Sequence, residues 1–250
     1  MLAESVVARY HFLPYPYGEP LVSDTPFAPS PRRRFLAALA GGTAAVAATG
    51  LGAGALLAQG GGLPAYPPPQ GGWDVAWADR IQKAKHKVVF DCAQVANGLA
   101  LTNAAVYMAG WKDVYNTMDA DLGVVVVIRH EAIQMVLDDS IWNRWKVGEQ
   151  LNVQDAGQPA MRNTFAGRPS AEGRAGDGMV GLIERGAVVL CCNLALMRSA
   201  GQFARAMSVP VDEARKLFID SLVPGVVRQT NGIFAVTRAQ EAGAVQVKST

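Results

Sequence analysis

The sequence is poor in the residues that build common catalytic and metal sites. It has 3 His and 3 Cys in 250 residues. So few imidazoles limit metal sites made from histidine alone. Three cysteines cannot form a disulfide framework, because at most one bridge closes and one thiol is left over. No C-x-x-C or H-E-x-x-H spacing reads as a zinc site. No P-loop, no G-x-G-x-x-G dinucleotide fingerprint and no G-x-S-x-G elbow is expected to operate here, so nucleotide enzymes and serine hydrolases lack a supporting motif. It has no excess charge of either sign. A formal net charge of +2, with 18% charged residues, gives no basic footprint, and no nucleic-acid partner is expected. No internal repeat occurs. With 50% apolar residues the chain is too apolar for disorder and too polar for a multi-span membrane protein.

The N-terminal part reads as targeting and tether rather than fold. Residues 1–34 form an arm rich in Pro and aromatics, ending in Arg32-Arg33-Arg34. An uncharged run follows at 35–58, diluted by Gly41, Gly42, Gly50, Gly52 and Gly54. It is long enough to cross a bilayer, which takes roughly 20 apolar residues. Arg32, Arg33, Phe35 and Leu36 before a mildly apolar Gly/Ala stretch match a twin-arginine signal. An ordinary membrane helix with positive-inside flanks is the other reading. Both put the arginines in the cytoplasm and the rest across a bacterial inner membrane. The expected location is therefore periplasmic, or periplasm-facing and anchored through 35–58. The twin-arginine translocase is the expected export partner. Ala53-Gly54-Ala55 is a candidate cleavage site. Residues 59–72 combine Gly60-Gly61-Gly62 with Pro67-Pro68-Pro69 and read as a linker.

Residues 73–250 read as one α/β domain. Trp73, Trp77, Ile81 and Ala84 fall at helical spacing and predict a short helix packed on its own domain. Strands are predicted over Lys87 to Asp91, Gly123 to Ile128, Gly186 to Cys191, Val226 to Val227 and Ala244 to Lys248. Helices are predicted over Asn97 to Met108, Glu131 to Leu137, Leu194 to Met207, Val211 to Leu222 and Ile233 to Ala242. Alternating strands and helices predict a mostly parallel sheet covered on both faces. Val147 to Gly178 reads as an extended polar stretch, either a lid over the rim or a surface loop.

In such sheets functional atoms gather at the carboxyl ends of the strands. Those ends are Asp91-Cys92, Arg129-His130 and Cys191-Cys192-Asn193, so the three cysteines and His130 are predicted at one rim. Cys191 is the leading candidate. It stands where a strand becomes a helix, with Asn193 read as the N-cap, and a helix N-terminus lowers a thiol pKa. Arg129 or a charged His130 beside it would act the same way. Cys192 is expected on the opposite side, packed. Cys92 and Asp91 are supporting candidates. Cys191 as a buried small hydrophobe is the alternative.

Three stretches resemble the DsrE/DsrF-like sulfur-relay family. They are Gly186 to Leu196, where a strand ends in a Cys followed two positions later by Asn, Leu222 to Gly243, and Gly123 to His130. The resemblance covers most of residues 86–248. It implies a three-layer α/β sandwich with a mostly parallel sheet of about five strands, commonly in oligomers, here preceded by a signal or anchor helix and a tether. No cofactor is expected. In the relay members a cysteine accepts and passes persulfide sulfur, and the matching residue is Cys191. Thr230-Asn231-Gly232 departs from the family's Pro-Ser-Gly turn. Export also departs from relay members that work in the cytoplasm.

Three functions remain open on the sequence. The first is sulfur transfer at Cys191. The second is a membrane-moored interaction subunit, as a homo-oligomer or part of a larger complex, in which Cys191 packs. The third is a metal held by Cys92, His130 and Cys191. A Cys92–Cys191 disulfide is a further possibility in an oxidising compartment.

Overall fold

The computed structural model describes residues 66–167 and 178–249. The twin-arginine residues Arg32, Arg33, Phe35 and Leu36, the run at 35–58 and the first part of the linker lie outside the described residues. Among the described residues no helix is long and apolar enough to cross a membrane.

The strands form where β-branched residues run together. β2 (Leu122–Ile128) is Leu-Gly-Val-Val-Val-Val-Ile and is buried along its whole length, as a central parallel strand must be. It pairs in parallel with β1 (His86–Cys92) on one side and β5 (Val188–Cys192) on the other. β6 (Val227–Gln229) extends the sheet beyond β5, and β7 (Val245–Lys248) lies beside β1. The order is β6-β5-β2-β1-β7, all parallel.

This order dictates the layers. From β1 the chain steps in one direction to β6, and right-handed crossovers then keep the connecting helices on one face. That face carries α2 (Leu99–Tyr115), α5 (Met179–Glu184), α6 (Asn193–Met207) and α7 (Val211–Asp220). The last step runs back across the sheet, so α8 (Gly232–Glu241) lies on the other face with α1 (Trp77–Lys83). The result is a three-layer α/β domain with a five-stranded parallel sheet.

The side chains sort by the two-residue period of the strands. Val88, Phe90, Cys92, Val124, Val126, Ile128, Val189 and Cys191 face the α2–α7 side. Val89, Val125, Val127, Val188 and Leu190 face α1 and α8. Trp77 and Ile81 are buried there, so the helical stripe packs on its own domain. On the larger side Trp145, Phe203 and Phe218 meet edge to face, with centroids 5.3–6.0 Å apart. Each buried ring stabilises the fold by about 1.5–3 kcal/mol.

Two expected elements differ. Glu131 to Leu137 is not an α-helix but a 3₁₀ turn over His130–Val136, tied at its start by the Glu131 and Ala132 N–H groups donating to Ala93 O. The stretch from Val147 is not featureless. It holds α4 (Val147–Leu151) and a hairpin of β3 (Gln154–Asp155) and β4 (Gln158–Pro159). Asp138–Arg144 also adds a capped helix, α3 (Asp139–Arg144), which the periodicity did not announce. Residues 168–177 lie outside the described residues. At its end the linker is bound to the domain, because Tyr66 packs on the core under the Arg215 guanidinium.

Candidate functional site

The carboxyl ends of β1, β2 and β5 are in register, with Cys92 beside Ile128 and Ile128 beside Cys191. The candidate residues therefore do share one end of the sheet. Their side chains divide between its two faces.

Cys92 and Cys191 point into the core on the α2–α7 side, and neither has exposed surface. Burial pushes the Cys191 thiol up to about 12, and Arg228 beside it only partly offsets this. Burial also pushes Cys92 up to about 12, with the Asp91 carboxylate adding to the effect. This overturns the expectation of an accessible, low-pKa Cys191. The buried site disfavours the thiolate more than the helix end favours it. The Cys92–Cys191 bridge is excluded as well. Two strand spacings put the Cα atoms about 9.6 Å apart, beyond the ~7 Å a disulfide reaches. All three cysteines are free.

The N-cap of α6 is Cys192, not Asn193. Cys192 has extended backbone, and its Sγ accepts from the Ala195 N–H at 3.4 Å. Asn193 lies one residue inside the helix, where its Oδ1 accepts from Arg228 Nη1 at 3.1 Å. The geometry expected at Cys191, a sulfur at a helix N-terminus near a guanidinium, is found at Cys192. By strand alternation Cys192 faces the α1–α8 side, and like the other two cysteines it is buried, with 6% exposure.

On that side the rim is polar. Arg129 clasps Asp91 with two hydrogen bonds, Nε to Oδ1 at 2.6 Å and Nη2 to Oδ2 at 2.8 Å. Gln246 Nε2 approaches the same carboxylate at 3.4 Å. The hydrogen bonds it donates to Asp91 hold the Arg129 pKa above its ordinary value, and the sulfurs of Cys192 and Cys92 add to the shift. The Arg129 stem lies against the first residue of α8. A Cβ at Gly232 would sit 2.7 Å from Arg129 Cδ. Only glycine admits the arginine there.

Gln229 completes the group. It is the register partner of Cys192 and is fully buried. Its Nε2 donates to Asp74 O at 2.7 Å and Arg228 O at 3.0 Å, which fixes the amide. Its Oε1 is buried without a hydrogen-bond partner. An orphaned buried acceptor is costly and marks a place where a donor belongs.

His130 stays apart. It is exposed, with φ 50°, and makes no hydrogen bond or ion pair among the described residues. Among those residues no three His, Cys, Asp or Glu side chains assemble as a metal site, and the set Cys92, His130 and Cys191 is not brought together. A Gly-x-Gly-x-x-Gly spacing does occur at Gly176, Gly178 and Gly181. Gly178 caps α5 and Gly181 lies within it, and among the described residues no strand leads directly into this stretch. Sequence reasoning missed Gln229, Gly232 and Gln246. Only Gly232, opening a helix after a short strand, carried a signal.

No family model matches the chain, and no curated protein does. Among solved structures it is similar to a protein of unknown function, MTH1491, from Methanobacterium thermoautotrophicum. The identity is 15% over 65% of this chain and 98% of that one, with a TM-score of 0.35. A likeness of that size carries no argument about function.

Proposed function

We propose that this is an exported domain of the DsrE-like type that carries sulfur as a persulfide, and that the carrier is Cys192 rather than Cys191. One observation carries the choice: Cys192 sits at the N-terminus of α6, near the Arg129 guanidinium, and pairs in register with Gln229, whose Oε1 has no partner. The Cys192 thiolate attacks the outer sulfur of a donor R–S–SH. A new S–S bond forms at Cys192, the donor's S–S bond breaks, and the donor leaves as R–S⁻. Passing the sulfur to an acceptor thiolate reverses the same bonds, with no net oxidation. On this reading the twin-arginine translocase exports the chain, and residues 35–58 hold the domain at the membrane if they are retained.

The test is intact mass of the full chain after incubation with polysulfide, for wild type and for Cys92→Ser, Cys191→Ser and Cys192→Ser. Sulfur addition lost only in Cys192→Ser supports the reading. Addition that survives in Cys192→Ser overturns it.

A second reading rests on a different feature. Val106 and Val114 on α2 and Val245 on the edge strand β7 are all exposed. Exposed apolar surface of this kind suits an interaction subunit, as a homo-oligomer or in a membrane complex, with no chemistry at the cysteines.

A further inference from the structure

Away from the cysteines an open cavity of ≈ 440 Å³ lies between the β1–α2 loop and the segment around the small hairpin. Its walls are Asn97, Asn152, Val153, Gln154, Thr164 and Phe165. Asn97 follows the carboxyl end of β1, the end at which α/β sheets bind ligands.

The walls are held in place from behind. Asn163 is buried and uses its full hydrogen-bonding capacity on the backbone. Its Nδ2 donates to Met135 O and Leu137 O, each at 2.7 Å, and its Oδ1 accepts from the N–H groups of Phe165 and Ala166 at 2.9 and 3.2 Å. Thr164 and Phe165 are fixed by that knot. The Phe165 ring is tied to the facing loop, because a Cβ at Gly98 would lie 2.9 Å from its Cδ1. Trp142 meets the same ring edge to face at 5.9 Å. The rim stores backbone strain: Ala96, Asn97 and Asn152 have φ of 39°, 52° and 52°. Non-glycine residues in this region cluster at ligand sites.

The described lining carries no charged side chain. Three carboxamides and one hydroxyl each offer a donor and an acceptor, and Phe165 and Val153 supply apolar surface. Among the described residues of the lining, a charged ligand finds no counter-charge. A ligand whose groups both donate and accept, with a C–H face to lay on a ring, fits best. We propose that this cavity is a binding site for a neutral saccharide.

The experiment is calorimetric titration of the full chain in detergent with glucose, N-acetylglucosamine, maltose and cellobiose, with a neutral tripeptide amide as comparison. Wild type binds at least one sugar at roughly millimolar affinity or tighter. Thr164→Val keeps the side-chain shape, and Asn97→Asp keeps tolerance of positive φ. Each weakens binding about tenfold while the thermal melt is unchanged. The proposal is overturned if no sugar binds, if the tripeptide amide binds and the sugars do not, or if both variants bind as wild type does. Sulfur loading is unaffected in either variant, so the two sites fail or stand separately.

Discussion

The guanidinium of Arg129 grips both oxygens of Asp91, and the two side chains keep only 16% and 12% exposure. Removing one partner of a pair this enclosed strands a charge. We expect Arg129→Met to lower unfolding stability by roughly 3 kcal/mol. Asp91→Leu combined with Arg129→Met restores most of it, and chemical denaturation of both single variants and the double variant measures the coupling. A double variant as unstable as the sum of the singles would show that the pair is not coupled.

Asn163 is expected to be the most sensitive polar residue of the hairpin side. Asn163→Leu deprives two carbonyls and two N–H groups of their partner. The predicted loss is about 3 kcal/mol in denaturant unfolding. A loss under about 1 kcal/mol, the worth of one ordinary hydrogen bond, would contradict the knot.

Alkaline pH should destabilise the domain through the buried thiols. In the unfolded chain these thiols release protons near 9, whereas in the fold Cys92 and Cys191 hold theirs to about 12. Between these values the native state binds more protons, so stability falls as pH rises. The contribution is complete below pH 9 and lost through about pH 12. Cys191→Ala removes one of the two groups. Its stability should decline less steeply over that window than the wild type's, measured as denaturant midpoint against pH. Parallel slopes would contradict the assignment.

Gly148 in α4 permits close packing. An added Cβ would meet the Ala160 carbonyl oxygen at 2.2 Å. Gly148→Ala is expected to cost roughly 2 kcal/mol and to loosen the hairpin, read as faster amide exchange at Val153 and Ala160, whose N–H groups are bonded to Gly148 O and Val153 O. Exchange unchanged from wild type would contradict it.

The sheet was legible because its strands announce themselves. Leu122–Ile128 is apolar on both faces and Val188–Cys192 nearly so, and their ends placed Cys92, Arg129 and Cys191 at one rim. What the sequence could not convey was which face each end residue takes. In a strand a shift of one residue moves a side chain to the other face, and helix starts are uncertain by a residue. Both uncertainties fell between Cys191 and Cys192. The thiol expected at the helix end was therefore named one position early, and Asn193 was given the cap that Cys192 holds. Gln229 and Gln246 carried no local signal, since only the sheet order brings them beside Cys192 and Asp91. Val147–Leu151 escaped notice because so short a helix depends on the close approach of Gly148 to Ala160 rather than on periodicity.

Which sulfur reacts decides between Cys192 and the other two cysteines. The most direct measurement is site-resolved alkylation of the native full chain with iodoacetamide at neutral pH, followed by peptide mass mapping. Cys192 should be modified first, with Cys92 and Cys191 protected until the protein is unfolded. Labelling of Cys191 or Cys92 ahead of Cys192, or protection of all three, would contradict a carrier at the N-terminus of α6.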